Sequence, residues 1–196
     1  MDYLESTKKA YNSNATQYIE KFKLFLDYDT YFEIQNFIKL LKGKNILDIG
    51  CGPGFQTKYL TEKGFNTTGI DNSEEMIKQG REIYKNSNIK LLELKNINKL
   101  NQTFDGIWAE AVLFHISKQD FKDTINNFNK LLNKEGLLYF SLKQGSEELI
   151  LEDGRFFAYY KKEEILNSLN SKFELLNYRE NKVHKDTFMN FLFKKK

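Results

Sequence analysis

Residues 48–54 read Asp-Ile-Gly-Cys-Gly-Pro-Gly and have the residue types of a loop that binds a nucleotide. The apolar run 45–49 predicts a short buried strand before the loop, and residues 57–62 predict a helix after it. Glycines at such a turn allow a ligand to approach the backbone closely. Asp71, at the end of the next predicted strand, can accept hydrogen bonds from ribose hydroxyls. These residues predict an adenosine-type ligand at the loop.

The spacing of the glycines discriminates between nucleotide cofactors. A dinucleotide-binding loop needs a glycine at the position that Phe55 occupies. Here the glycines alternate instead, as Gly50, Gly52 and Gly54. Asp48 would repel a pyrophosphate, but it would attract a ligand that carries an ammonium or sulfonium charge. The loop therefore favours a cationic ligand over a nicotinamide dinucleotide.

The elements that position these residues alternate between helices and strands, as the spacing of apolar residues predicts. Two helices come first, at residues 10–25 and 31–41. The predicted strands span residues 45–49, 65–71, 89–92, 104–109, 136–143, 173–179 and 187–193, and the intervening helices span 57–62, 73–84, 118–132 and 162–170. This alternation is typical of an α/β fold with a doubly wound parallel sheet and helices on both faces. The last two strands predict an antiparallel hairpin at one edge, because a short polar stretch joins them.

The composition argues against several classes of protein. The 196 residues suit one folded domain, and a formal net charge of +3 with only three arginines argues against a nucleic-acid partner. The single cysteine, Cys51, forms no internal disulfide or thiolate cluster, so we expect a cytoplasmic protein without a metal site. The chain has neither an apolar run of about 18 residues nor a basic N-terminus followed by an apolar stretch. We therefore expect no membrane span and no secretion signal.

At these residues the sequence resembles the class I S-adenosylmethionine-dependent methyltransferases, of the type that acts on small molecules. Residues 48–54 match the family's first motif, and residues 69–77 resemble its second. Residues 104–110 resemble its fourth strand, and residues 132–139 resemble the segment that leads into its fifth. The resemblance implies a Rossmann-like, mostly parallel, seven-stranded sheet whose last strand is antiparallel, in a single domain of residues 1–196.

The resemblance also implies where the cofactor, S-adenosyl-L-methionine, binds. In the family the acidic residue of the second motif, here Asp71, holds both ribose hydroxyls, and Asn96 stands where an aspartate often contacts the adenine amino group. Related enzymes cover the cofactor with N-terminal helices, so residues 1–42 are expected to form a lid over a core of residues 43–196. The implied cofactor contacts are Asp48, Gly50, Cys51, Gly52, Gly54, Asp71, Asn72, Met76, Asn96, Ile97, Tyr11 and Tyr18.

His115 and Glu110 follow the fourth predicted strand, where the family's substrate meets the methyl group. Either side chain is placed to act as a base if the acceptor is a hydroxyl, a thiol or a protonated amine. A buried structural histidine would explain His115 equally well. Residues 155–160 combine one arginine with four aromatic side chains and form either a packing element or a wall of the substrate pocket. The candidate substrate residues are Phe114, Arg155, Phe157 and Tyr160.

The function that the resemblance implies is methyl transfer to a small-molecule acceptor by in-line displacement. Residues 109–112 read Ala-Glu-Ala-Val and lack the Asn/Asp-Pro-Pro-aromatic signature of the amino-methyltransferases that act on bases. Two alternatives remain open, an NAD(P)-dependent oxidoreductase on the same sheet and a binding module that keeps the cofactor but has no acceptor site. The sequence leaves open whether the acceptor atom is oxygen, nitrogen, sulfur, carbon or a metalloid, and whether the protein is a monomer or a homodimer.

Overall fold

A sheet of nine strands organises the part of the chain that the computed structural model describes, residues 2–24, 27–29 and 31–196. The strands are β1 (Asn45–Ile49), β2 (Asn66–Asp71), β3 (Ile89–Leu91), β4 (Phe104–Ala109), β5 (Leu132–Gln144), β6 (Glu148–Ile150), β7 (Phe156–Tyr160), β8 (Phe173–Val183) and β9 (Asp186–Lys195). The α-helices are α1 (Tyr3–Ser13), α2 (Ala15–Lys23), α3 (Phe32–Leu40), α4 (Phe55–Glu62), α5 (Glu74–Ile83), α6 (Lys118–Leu131) and α7 (Lys162–Leu169), and 3-10 helices span Leu94–Leu100 and Leu113–His115. No described helix is long and apolar enough to cross a membrane.

The sheet has the predicted doubly wound, mostly parallel arrangement. Strands β3, β2, β1, β4 and β5 lie side by side in that order and run parallel. β9 pairs with β5 in antiparallel register, from Leu137 opposite Lys194 to Lys143 opposite Phe188, and β8 lies outside β9. The predicted antiparallel hairpin is therefore confirmed, together with a seven-stranded order whose last strand runs against the others.

Two short strands, β6 and β7, extend the sheet beyond this prediction. β7 pairs with β5 only at Lys143 and Gln144, and β6 pairs with β7 alone. Most of the aromatic segment 155–160 is thus a strand, and it is buried on both faces, so that its sequence has no polar alternation to reveal it. β5 also begins at Leu132, four residues before the predicted start.

The N-terminal segment contains three helices where the sequence predicts two. α1 begins at Tyr3, well before the predicted start, because the side chain of Asp2 caps it by accepting a hydrogen bond from the backbone N–H of Leu4. Asn14 then separates α1 from α2, so that the predicted apolar stripe is divided between two helices. Phe25, the last residue of the first predicted helix, lies outside the described residues.

Side chains of β4 alternate between two core layers, because neighbouring residues of a strand point to opposite faces of the sheet. Trp108 stacks on Tyr139 of β5 with 3.8 Å between ring centroids, and Phe37 of α3 packs against Trp108. On the opposite face Ile107 belongs to the layer in which α6 buries Phe128. Helices therefore cover both faces of the sheet, as predicted.

Candidate functional site

A cavity of about 770 Å³ opens at the carboxyl ends of β1, β2 and β4. In an open α/β sheet this edge, at the point where the strand order reverses, is where ligands bind. The volume lies within the roughly 300–1,000 Å³ typical of small-molecule pockets. The predicted site residues that line the cavity are Tyr11, Gly50, Cys51, Gly52, Asp71, Asn72, Met76, Glu110 and His115. Candidates for cofactor binding and for catalysis thus meet at one place.

The loop between β1 and α4 depends on its glycines for two different reasons. Gly50 and Gly52 have φ angles of 67° and 53°, in the left-handed region that glycine adopts without strain. A side chain at Gly50 would also collide with Val112, because an added Cβ would lie 2.5 Å from that side chain. Between the two glycines, burial raises the pKa of the Cys51 thiol, which suits a spacer better than a nucleophile.

Asp71 ties the glycine loop to the start of α5. One of its carboxylate oxygens accepts a hydrogen bond from the backbone N–H of Gly52 at 2.8 Å, and the other accepts from the N–H of Ser73 at 2.8 Å. Asn72 and Met76 line the cavity beside it. Each carboxylate oxygen can accept a further hydrogen bond, so Asp71 can still receive ligand hydroxyls.

Asp48 lies beneath the loop and is only 1% exposed. The hydroxyl of Thr57 donates to its carboxylate at 2.6 Å. Burial above all, together with the nearby carboxylates of Glu110 and Asp71, raises the pKa of Asp48 to about 7, although the hydrogen bond from Thr57 opposes the shift. Burial also raises the pKa of Asp71 and of Glu110.

Asp48 is buried, whereas Asp71 and Glu110 are half-buried at the cavity wall. These three carboxylates have no cationic partner in the described part of the chain. No lysine or arginine nitrogen there lies within 4 Å of Asp48, Asp71 or Glu110. Lys21, which lines the cavity, makes no ion pair with them either. Buried carboxylates without a counter-ion favour either a proton or a cationic ligand.

His115 is held by hydrogen bonds to both of its ring nitrogens. Nδ1 lies 2.6 Å from the carbonyl oxygen of Phe156, so we assign the proton to Nδ1, and the hydroxyl of Tyr11 then donates to Nε2 at 2.8 Å. Burial lowers the pKa of His115 to about 4 and raises the pKa of Tyr11 to about 12. Both groups are therefore neutral near pH 7, and the Tyr11 hydroxyl covers the basic nitrogen of His115.

Glu110 is covered in a similar way by neutral groups. The hydroxyl of Tyr31 donates to one carboxylate oxygen, and the side-chain amide of Gln56 donates to the other. Gln56 is itself fixed because its carbonyl oxygen accepts from the indole N–H of Trp108 at 3.1 Å. Sequence reasoning missed Tyr31 and Gln56, since Tyr31 is only one member of an apolar helical stripe and the spacing of Gln56 carries no signal.

Five of the predicted cofactor residues are not among the residues that line the cavity. They are Asp48 of β1, Gly54 at the start of α4, Tyr18 of α2, and Asn96 and Ile97 in the 3-10 helix after β3. Tyr18 packs on Tyr11 with 4.9 Å between ring centroids, and Ile97 is a core residue. Leu92 and Leu94 line the cavity at this end. The contacts of these five residues with a cofactor stay predictions.

The four candidate substrate residues do not line the cavity either. They are Phe114, Arg155, Phe157 and Tyr160. Phe114 stacks on Phe157 with 5.2 Å between ring centroids. The guanidinium of Arg155 lies 5.9 Å from the ring centroid of Tyr11, which does face the cavity. Any effect of these residues on a substrate would therefore act through their neighbours.

The β8–β9 hairpin supplies a part of the cavity that the sequence did not indicate. Its lining residues are Asn181, Val183, His184, Phe188 and Asn190. His184, which is exposed, lies at the turn of the hairpin with a φ of 55°. The turn is held down because Lys143 of β5 forms an ion pair of 2.7 Å with Asp186. These residues lie far along the chain from the glycine loop, so no local pattern connects them with it.

The model of the methyltransferase-domain family matches residues 46–136, which include the glycine loop, Asp71 and Glu110. The matched part, a little under half of the chain, therefore resembles a methyltransferase domain. The recognition drawn from the first and second motifs is thereby confirmed, and the family residues coincide with the walls of the cavity on β1, β2 and β4.

Curated relatives match only part of this chain. A ubiquinone biosynthesis O-methyltransferase from Coxiella burnetii is 33% identical over 105 residues, which are 52% of this chain and 44% of that protein. A malonyl-[acyl-carrier protein] O-methyltransferase from Salmonella typhimurium is 28% identical over 113 residues, 56% of this chain and 44% of that protein. The chain therefore spans less than half the length of either relative.

Solved methyltransferases share the fold over almost the whole chain. An S-adenosylmethionine-dependent methyltransferase from Clostridium acetobutylicum has a TM-score of 0.74 at 20% identity and covers 94% of this chain and 98% of its own. Magnesium protoporphyrin IX methyltransferase from Synechocystis, solved with bound SAM, has a TM-score of 0.74 at 16% identity. The match covers 100% of this chain and 98% of that protein's chain. At these identities the likeness shows a common fold.

Proposed function

We propose that this protein is an S-adenosylmethionine-dependent methyltransferase that moves a methyl group to a small-molecule acceptor by in-line displacement. The observation that carries the proposal is the group of three carboxylates beside the glycine loop, the buried Asp48 and the half-buried Asp71 and Glu110, which have no described cationic partner. S-adenosylmethionine carries a sulfonium and an ammonium, which supply the missing positive charge. The O-methyltransferases among the relatives support a small-molecule acceptor.

The residues of the cavity fit this cofactor from end to end. Asp71 would accept hydrogen bonds from the ribose hydroxyls, and Asp48 would attract the ammonium from beneath the loop. Met76, Leu92 and Leu94 would provide the apolar surroundings of the adenine. When bound, the cofactor supplies an activated methyl group on a neutral leaving group. The chain has to align the acceptor with that methyl group and exclude water.

We propose that residues 1–42 cover the cofactor and that residues 43–196 form the core that binds it. α1 is fixed to the core because the hydroxyl of Ser6 donates to the carbonyl of Gly154 at 2.6 Å, and the N–H of Phe156 donates to the hydroxyl of Thr7 at 2.9 Å. Tyr11, one turn further along α1, is thereby held over the cavity. The buried free thiol of Cys51 supports a cytoplasmic location.

For an acceptor that must lose a proton, we propose that Tyr11 and His115 remove it together. The Tyr11 hydroxyl faces the cavity and already donates to Nε2 of His115, so its own proton can pass to the imidazole while it takes the acceptor's proton in exchange. The low pKa of His115, about 4, keeps the ring neutral and able to accept a proton at every pH above about 5. We therefore expect the rate to be flat on the acid side down to about that pH.

Removing either member of this pair is expected to slow turnover. Tyr11→Phe and His115→Ala should each lower kcat by about 100-fold, the usual contribution of a general base, and change the Kd of the cofactor much less. The measurement is release of S-adenosylhomocysteine across pH 5 to 9 with an acceptor found by screening. Tyr59→Phe, which removes a hydroxyl that contacts Gln35 and Asp29 away from the cavity, is the control. Unchanged turnover in both variants would remove the pair from the mechanism.

The first test of the proposed function is calorimetric titration with S-adenosylmethionine, S-adenosylhomocysteine and NADH. We expect the first two to bind and NADH not to bind, because Phe55 and Asp48 are unsuited to a pyrophosphate. Binding of NADH alone would support an oxidoreductase instead. Binding of S-adenosylmethionine without turnover across a broad set of hydroxyl, amine, thiol and carboxylate acceptors would indicate a binding module. Binding of none of the three would overturn the proposal.

A further inference from the structure

Glu110 occupies a particular place in the cavity, directly after β4. β4 lies next to β1, and β2 lies on the other side of β1. If the ribose of the proposed cofactor is held at Asp71, after β2, the cavity leads from there across the end of β1 to Glu110. The reacting end of the cofactor and the acceptor would then lie on the side of Glu110. The next residue, Ala111, has a φ of 53°, a strained angle for alanine that turns the chain along the cavity wall.

The partners of Glu110 satisfy its hydrogen bonds but leave its charge unmatched. Tyr31 donates through a hydroxyl and Gln56 through an amide, and both groups are neutral. Gln56 cannot rotate freely to bring in another group, because the indole of Trp108 holds its carbonyl oxygen. Glu110 is half-buried, and a carboxylate shielded from bulk water in this way gains more from a cation than an exposed carboxylate does.

Aromatic rings line the same side of the cavity. Tyr28 and Tyr31 both face it, and Tyr28 lies close enough to Glu110 and Asp48 for their charges to raise the pKa of its hydroxyl, after burial itself. Tyrosine rings attract cations through their faces. A carboxylate flanked by two tyrosines is therefore suited to a positive charge that carries apolar substituents, such as a sulfonium or an alkylated ammonium.

We propose that Glu110, held by Tyr31 and Gln56, recognises a positive charge at the reacting position of the cavity and so determines which ligands bind there. This inference rests on the proposed function. The same chemistry could come from the sulfonium of the methyl donor or from the ammonium of an amine acceptor. In the first case the site distinguishes the charged donor from its neutral demethylated product, and in the second case it selects amine acceptors.

The first arm of the test compares S-adenosylmethionine with S-adenosylhomocysteine, which differ by one methyl group and one charge. We expect the wild-type protein to bind the sulfonium about 10-fold more tightly by calorimetry, equivalent to about 1.4 kcal/mol. Glu110→Gln keeps the shape of the side chain and removes its charge. It should weaken binding of S-adenosylmethionine without changing that of S-adenosylhomocysteine, so that the two Kd values come within about 3-fold of each other. Glu110→Asp keeps the charge and should retain most of the ratio.

A matched control is available next to the site. Glu33 carries a carboxylate that is 9% exposed and lies near enough to raise the pKa of Glu110, but it forms an ion pair of 3.6 Å with Arg179 and does not line the cavity. Glu33→Gln removes the same charge by the same substitution. The Kd ratio of the two ligands should stay within about 2-fold of the wild-type ratio, since Glu33 does not line the cavity and its charge is already paired with Arg179.

The second arm titrates benzylamine and benzyl alcohol into the protein loaded with S-adenosylhomocysteine. Binding of benzylamine alone, lost in Glu110→Gln, would assign the recognised charge to the acceptor, and a collapsed donor-to-product ratio would assign it to the donor. Two equal Kd values in the wild-type protein, together with no benzylamine binding, would overturn the inference without any variant. A wild-type ratio or amine binding that Glu110→Gln leaves unchanged would also overturn it. Failure of the proposed function can be distinguished from failure of this inference, because in that case neither S-adenosylmethionine nor S-adenosylhomocysteine would bind.

Discussion

Replacing Asp71 with alanine is expected to weaken binding of S-adenosylmethionine by about 100-fold or more. The carboxylate would accept both ribose hydroxyls, and hydrogen bonds to a charged acceptor contribute about 1.5–3 kcal/mol each, so a net loss near 3 kcal/mol corresponds to roughly 100-fold. Asp71 also holds the backbone of Gly52 and Ser73, so the loop would lose its tie to α5 at the same time. Calorimetry of the variant with S-adenosylmethionine and S-adenosylhomocysteine should show both ligands weakened alike.

A control for this loss of affinity is available at the opposite end of the sheet. Asp105, in β4 at the other end of the sheet, accepts hydrogen bonds from the backbone N–H groups of Lys44 and Asn45 at 2.9 and 3.0 Å. Asp105→Ala should lower the melting temperature, because it breaks comparable bonds, and leave the Kd of the cofactor unchanged. If Asp71→Ala also lowered only the melting temperature, the ribose contact would have to be assigned elsewhere.

Local patterns predicted most of the fold because each main element carries its own signal. The run at residues 45–49 is apolar and short, the glycines after it mark a turn, and the strand pairs follow from the alternation with helices. β6 and β7 escaped prediction because β6 is only three residues long and β7 joins the sheet through only two residue pairs with β5. The division between α1 and α2 depends on the backbone at Asn14, which apolar periodicity does not report.

The candidate site, too, was predictable from the sequence only where its residues lie close together along the chain. The glycine loop and Asp71 are local in sequence, and their positions in the cavity agree with what the spacing predicts. By contrast, the side chains that bond His115 and Glu110 come from positions about 50 to 100 residues away. Tyr11 of α1 bonds His115, and Tyr31 and Gln56 bond Glu110. A single sequence holds no pattern that joins such distant side chains, so it predicts two candidate bases but not that each one is covered by a tyrosine.

Replacing Asp48 with asparagine is expected to stabilise the unliganded protein at high pH. The pKa of Asp48 is about 7 in the folded protein, against a usual value near 3.9 in the unfolded chain, because burial disfavours its charge. The folded state therefore holds a proton that the unfolded state has lost, and the free energy of unfolding falls as the pH rises from about 4 to about 7. A shift of about 3 units corresponds to at most about 4 kcal/mol, part of which the buried amide of asparagine would offset.

The measurement is denaturant unfolding of the wild-type protein and Asp48→Asn at pH 5 and pH 8. We expect the variant to gain about 2 kcal/mol relative to wild type at pH 8 and distinctly less at pH 5, where the wild-type carboxyl is mostly protonated. Asp105→Asn should change stability in the opposite direction, because hydrogen bonds from Asn45, Asn133 and Lys44 outweigh burial and lower the pKa of Asp105. A variant less stable than wild type at both pH values would contradict a destabilising charge at Asp48.

Asp48→Asn should also weaken binding of the cofactor and remove the pH dependence of that binding. A cationic ligand stabilises ionised Asp48 and lowers its pKa, so binding below pH 7 releases a proton, and the wild-type affinity should rise by up to about 10-fold per pH unit until it levels off near pH 7. Asparagine has no proton to release, so in the variant this position should no longer make the affinity for the cofactor depend on pH. Asp48 would then lower the stability of the empty protein at neutral pH in order to bind a positive charge, which explains why a buried carboxylate without a described counter-ion lies beneath the loop.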